Sequence, residues 1–234
     1  MEEITMIKTN FAVLMAERGL KISDVYEDTG ISKTTLMALA ENTGKGVQFD
    51  TVDKLCNYLG IELKDFFVYS PYIWKVYKKD NYERKEEDGD KIAINLKDTH
   101  SERTYIIEVY FFSPKHIDSP ISDDDIKLWV RLSLDEDSGN IEYREFYNFV
   151  SSLPILFQTH FYNEVIEVLK KYYLNSEKVI SAYRYSRYDP NHEKDYLTDI
   201  TLNKKDKIFI SFFDNFASAF APKEVQFDKI IKID

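Results

Sequence analysis

Hydrophobic positions in the first seventy residues recur at helical spacing, in short runs separated by glycines and polar caps. Ile7, Phe11, Leu14 and Met15 fall at i, i+4, i+7 and i+8, which predicts one apolar helix face closed by Gly19. Ser23 is placed to cap a second short helix that carries Val25 and Tyr26 and stops at Gly30. Ser32 caps a third. Ile31 just before that cap and Leu36 four residues after it have the spacing of a hydrophobic staple, and Leu39 continues the buried face. After a loop from Asn42 to Val47, a fourth stripe of Phe49, Val52, Leu55, Cys56 and Leu59 ends at Gly60. Leu63, Phe66 and Phe67 predict a fifth helix of one or two turns.

From Pro71 the period changes. A first strand is expected over Tyr72 to Tyr77, followed by an exposed charged loop, KKDNYERKEEDGD, from Lys78 to Asp90. Tyr105, Ile107, Val109 and Phe111 alternate with residues that are also mostly apolar, so this strand is expected to be covered on both faces. Leu128, Val130, Leu132 and Leu134 alternate with Lys127, Trp129, Arg131 and Ser133, which predicts a half-exposed strand. Phe161, Val165, Val168, Leu169 and Tyr172 keep helical spacing within one long helix, Ile155 to Tyr173, introduced by Ser152 and Pro154. Later strands are expected over Val179 to Tyr188, Asp199 to Leu202 and Ile208 to Phe213, with Asn203 to Asp206 turning between the last two. The expected architecture is an all-α N-terminal domain of five short helices, residues 1–70, followed by a larger α+β domain, residues 71–234, whose topology the sequence does not specify.

Composition supports two packed domains. Of 234 residues, 44% are hydrophobic and 15% aromatic, enough to fill real cores rather than leave the chain disordered. There is no run of 18 apolar residues to span a membrane, and the N-terminus opens on two acids rather than a basic patch and an apolar stretch. The single cysteine, Cys56, has no partner in the chain and falls in an apolar helical pattern, so a cytoplasmic location is expected. The net charge is −10. Residues 1–70 hold seven basic and eleven acidic side chains, a net of −4, and the remainder holds 24 and 30, a net of −6. Binding to a polyanion therefore has to rest on a few cations gathered on one side.

Most apparent chemistry dissolves on inspection. LDEDSGNIEYREF, Leu134 to Phe146, has an EF-hand rhythm, but the first ligand position falls on Leu134, where calcium needs an oxygen; a β-hairpin turn leading to a segment at Ile141 explains it better. Asp123, Asp124 and Asp125 point in different directions on any regular element and read as a solvated loop. The histidines, His100, His116, His160 and His192, show no ligand spacing. Tyr183, Tyr185 and Tyr188 interleave with Arg184 and Arg187 in a composition suited to stacking on bases, although an ordinary strand is the favoured reading. No catalytic constellation, metal site or cofactor site is expected.

Residues 22–67 are another matter. Thr29-Gly30-Ile31-Ser32 at a turn, Thr35-Leu36 in the helix that follows, and Lys45-Gly46 in the next loop form one contiguous pattern. Phe49, Thr51-Val52, Lys54-Leu55-Cys56 and Leu59 complete it downstream. This piece resembles the Cro and phage-repressor (XRE-type) helix-turn-helix family, and the resemblance covers about sixty residues. It implies a DNA reader whose helix from Ser32 enters the major groove with its first turns facing base edges. By position, Lys33, Thr34, Met37 and Ala38 face the DNA while Leu36 and Leu39 face the core. Lys33 suits guanine O6 and N7, Thr34 a base or a phosphate, and Met37 or Ala38 a thymine methyl. Ser23 and Lys45 are candidate phosphate contacts, and Ser32 and Thr35 complete the DNA-binding set at the helix start. Ile22 stands where many members carry a backbone-gripping Gln, and Tyr26 where many carry Ala, so the two helices are expected to pack differently.

The resemblance implies a repressor-like regulator with double-stranded DNA as partner, acting as a homodimer. The second domain would serve dimerisation, a small-molecule effector or a host protein, and no membrane is implied. Two alternatives stay open: a phage- or element-encoded inhibitor whose acidic second domain binds a host protein, with the reader kept for autoregulation, and an enzyme fused to a DNA reader.

Overall fold

A computed structural model describes residues 6–79, 90–114, 124–135, 140–184, 197–213 and 227–234. The chain divides into two compact units: Met1–Ile73 with Leu153–Thr159, and Trp74–Ser152 with His160–Asp234.

The first unit runs β1 (Ile7–Thr9), α1 (Phe11–Glu17), α2 (Ile22–Thr29), α3 (Lys33–Glu41), α4 (Phe49–Leu59), α5 (Leu63–Phe66) and β2 (Phe67–Tyr69). Phe11, Val25, Leu36, Leu55 and Phe66 are fully buried, and Leu14, Ile31, Leu39, Val52 and Leu59 join them in one core. Each of the first four helices thus buries most of the apolar positions that its spacing predicts. Two expectations fail at the ends. Ile7 does not belong to the first helix, and Phe67 does not belong to the fifth. Both lie in a two-stranded antiparallel ribbon that pairs Ile7 with Tyr69 and Thr9 with Phe67, so this unit is not all-α. Long-range pairing overrides local spacing here: the Asn10 amide donates to the Phe66 carbonyl at 2.8 Å, which brings the two segments side by side. Phe49 is also displaced from its expected stripe. It starts α4 beyond the reach of the core and is 91% exposed.

The second unit is built on a mixed sheet, eight strands among the described residues. The elements after the first unit's ribbon are β3 (Ile73–Lys78), β4 (Asp90–Lys97), β5 (Glu102–Ser113), β6 (Ile126–Leu134), α6 (Asn140–Ser152), α7 (Ile155–Tyr172, of which residues 155–159 belong to the first unit), β7 (Val179–Arg184), β8 (Leu197–Thr201), β9 (Lys207–Phe212) and β10 (Phe227–Lys232). The strand order is β10-β9-β6-β5-β4-β3, and β7 joins β5 in parallel at Phe112 and Ser113, with β8 on its other side. β6 is not half-exposed as its alternation predicts. It lies between β5 and β9, and Trp129 is buried with its indole N–H donating to the Ser211 hydroxyl at 2.9 Å. On β5 one face is buried and the other half-buried, close to the double cover expected.

The segment from Asn140 is a helix, not the second arm of a hairpin. Phe146, Tyr147, Phe149 and Val150 are buried from it at helical spacing, which dominates over the turn signals before it. Residues 136–139, the centre of the calcium-like loop, lie outside the described residues. Rings from both helices and the sheet interlock: Phe146 against Tyr105 at 5.1 Å and Phe213 at 4.8 Å, and Phe161 against Trp74 at 5.7 Å. Asn203 and Asp206 do form a turn, closed by the Asn203 amide on the Asp206 carboxylate at 2.8 Å. It links β8 to β9, which pair with other strands and not with each other.

Candidate nucleic-acid interface

The turn between α2 and α3 is built by three consecutive residues. Gly30 takes φ 70°, the left-handed conformation that an L side chain resists, and its N–H donates to the Tyr26 carbonyl at 2.9 Å. Thr29 fills the inside of the bend: its hydroxyl donates to the Val25 carbonyl at 2.6 Å and accepts from the Ile31 amide at 3.3 Å. Ile31 and Leu36 are both buried, as the staple spacing predicts. Ser32 caps α3, its hydroxyl accepting from the Thr35 amide at 3.2 Å and sharing a 2.9 Å hydrogen bond with the Thr35 hydroxyl.

The far end of α3 is anchored by residues that the sequence reading passed over. Asn42 ends the helix at φ 55°. Its side-chain oxygen accepts from the Thr9 amide at 2.6 Å, and its amide group donates back to the Thr9 carbonyl at 3.2 Å. The Thr9 hydroxyl donates to the Leu39 carbonyl at 2.7 Å. Thus α3 is tied at its start by Ser32 and at its end by the terminal ribbon. The signal was an Asn just past the last apolar residue of a helix, a known left-handed stop.

Held in this way, α3 turns Leu36 and Leu39 into the core and leaves Lys33, Thr34 and Met37 exposed, with Ala38 half-buried beside them. Lys45 is exposed in the loop after α3. Ser23 does not cap α2. That helix starts at Ile22, and the Asp24 carboxylate accepts from the Lys21 amide at 2.8 Å in the capping role. The longer carboxylate side chain reaches back from the third helical position, and Ser23 sits half-buried with its hydroxyl on Asp24 at 3.2 Å. The Lys33 ammonium lies 5.1 Å from the centre of the Tyr26 ring, a contact across the two helices of the motif that the sequence reading did not find.

Acids flank this surface. Glu27, Asp28 and Glu41 are exposed. Asp28 accepts from the Tyr58 hydroxyl at 2.8 Å, and that bond, followed by burial and the charges of Asp28 and Asp24, holds the phenol above its ordinary range. Cys56 packs partly buried against the core; burial, then the charges of Asp53 and Asp65, raises its thiol and makes it a poor nucleophile.

In the sheet unit, no group of three or more His, Cys, Asp or Glu among the described residues is arranged to hold a metal. One charged cluster is internally paired, a single lysine between two carboxylates. Lys91 lies 3.0 Å from Asp135 and 3.5 Å from Glu108, and Tyr110 also donates to Glu108. Asp125 pairs with Lys207 at 3.0 Å, and His160 lies 3.4 Å from Glu164. His100 sits in an exposed turn whose amide donates to Asp98. Of the tyrosine-arginine segment, Tyr183 is half-buried, while Tyr185, Arg187 and Tyr188 lie outside the described residues, as do Asp123, His116 and His192. No helix among the described residues is long and apolar enough to cross a membrane.

Comparison with curated proteins and with solved structures finds no match. Residues 10–72 match the family model of the Cro/C1-type HTH DNA-binding domain, and this stretch of the chain is a helix-turn-helix domain of that type.

Proposed function

We propose that the chain is a sequence-specific transcriptional regulator of the phage or mobile-element repressor type, reading the major groove with α3. The observation that carries this reading is the outward face of α3: a lysine, a threonine and a methionine exposed on a helix whose other face, turn and both ends are locked. Such a helix meets base edges without first having to order itself. Lys33 is suited to donate to guanine, Thr34 to a base or phosphate, and Met37 with Ala38 to a thymine methyl. Lys45, with Ser23 lower on α2, is suited to the phosphate backbone, and the linked hydroxyls of Ser32 and Thr35 set the start of the helix.

The net charge of −4 on residues 1–70 implies modest affinity for a single reader. Two readers joined through the second domain would raise it by roughly 10² or more, because the second contact becomes intramolecular. Selection of bound duplexes from a random pool tests the reading. The expected product is a two-fold repeat with half-sites one helical turn apart. A pool that stays random after selection contradicts it. The net charge of −6 on the remaining residues favours a second reading, an inhibitor whose acidic domain occupies a basic nucleic-acid channel of a host protein. An unselected pool together with competition for nucleic acid on such a protein would favour that reading.

A further inference from the structure

Tyr26 lies in the last turn of α2, next to Val25, which is fully buried in the core of the unit. The Tyr26 side chain is 43% exposed. A large ring at the surface adds little to the core, but its face lies 5.1 Å from the Lys33 ammonium, inside the range of a cation–π contact. Among the described residues no carboxylate lies within ion-pair distance of Lys33, although Glu27 and Asp28 directly follow Tyr26 in sequence. The distinction matters for an anionic ligand. A carboxylate would hold the lysine by neutralising it and would compete with DNA. A ring holds it by its quadrupole, restricts a flexible four-carbon stem, and leaves the charge and the ammonium donors available.

We infer that Tyr26 is a positioning residue for base reading: its ring aims Lys33, the first residue of α3, at the base edge and so sharpens sequence preference at one base pair. The inference rests on the proposed function and goes beyond it, because it assigns a specificity role to a residue of α2 that need not touch a base. The geometry makes the two side chains a single unit, so the role of one has to vanish with the other.

Full-length protein and a duplex selected by it supply the test. Tyr26→Ala is expected to weaken the selected site about two- to fivefold and to relax preference at the same base pair that Lys33→Ala relaxes. Binding to unrelated duplex and the salt slope should hold, because no charge is removed. Tyr26→Phe should behave as wild type, and Tyr26→Leu, which keeps bulk without a π face, should behave as Tyr26→Ala. In the Lys33→Ala background, Tyr26→Ala should have no further effect. In the free protein, the Lys33 ε-methylene protons should be shifted upfield by the ring in wild type and Tyr26→Phe, and that shift should be absent in Tyr26→Ala.

A Tyr26→Ala protein that weakens all sequences alike, or that loses as much again in the Lys33→Ala background, overturns the inference. So does a Tyr26→Ala protein indistinguishable from wild type while Lys33→Ala still relaxes one base pair; the proposed function then survives alone. If wild type selects no duplex, that function fails and takes the inference with it.

Discussion

In the helical unit the core is drawn from one continuous stretch, Phe11 to Phe66, and the turn that matters spans Thr29 to Ser32. The sheet unit joins distant segments: β6 pairs in parallel with β9, and the Trp129 indole reaches a serine 82 residues away. The first arrangement fixes a surface with local devices, each a cap, a staple or a glycine, so small changes alter the presentation of α3. The second fixes a core with many interlocking rings, so its sensitive points are buried. Local wiring suits a recognition surface, and long-range packing suits a scaffold.

The sharpest way to break that contrast is at the sheet unit's centre. Phe161 is fully buried and meets Trp74, Phe149 and Phe213. Phe161→Ala should destabilise this unit by about 3–5 kcal/mol in denaturant unfolding. A loss below about 1 kcal/mol would show that the rings do not carry the scaffold.

Next in size is the charged cluster. Lys91→Met removes the cation that Glu108 and Asp135 share where both side chains are largely out of solvent, at an expected cost of about 2–3 kcal/mol. Burial by itself would lower the Lys91 ammonium, but the hydrogen bond and charge of Asp135, followed by those of Glu108, raise it above the ordinary lysine range. A raised folded value means that the stabilisation is complete below the unfolded value, about 10.4, and fades as pH climbs through the folded one. The difference between wild type and Lys91→Met should accordingly be constant near neutrality and shrink in strong alkali. A difference that grows with pH would contradict the assignment.

Smaller again is the end of α3. Asn42→Ala removes both Thr9 bonds and leaves in the left-handed region a residue that lacks the short polar side chain suited to it, an expected loss of about 1–2 kcal/mol. Asn42→Gly keeps the backbone without strain and should lose less. Equal losses would assign the whole effect to the side-chain bonds.

The same contrast explains what could be read in advance. The turn at Gly30, the Ser32 cap, the staple and the inward Leu36 and Leu39 were legible because each is a few residues long and has one local solution. The ribbon of Ile7–Thr9 with Phe67–Tyr69 was not, since helical spacing through Ile7 is satisfied locally and only the distant partner overrules it. In the sheet unit Lys127 and Arg131 made β6 look exposed, and nothing local announces that β5 and β9 enclose it. The segment at Asn140 was misread because a turn-rich approach, Asp135 to Gly139, outweighed the aromatic spacing from Tyr143 to Val150. On the outward face of α3 the exposure of Lys33, Thr34 and Met37 was legible, but the ring beside Lys33 was not, because Tyr26 and Lys33 lie on different helices.

The most direct test of the account compares Lys33→Ala with Lys45→Ala in full-length protein, over a panel of single-base variants of the selected duplex at several salt concentrations. Lys33→Ala should relax preference at one base pair, by about 1–3 kcal/mol of discrimination, and leave the other positions as they were. Lys45→Ala should weaken every duplex by a similar factor and lower the salt slope by about one, the signature of a lost phosphate contact. Identical behaviour of the two variants would contradict the placement of α3 in the groove.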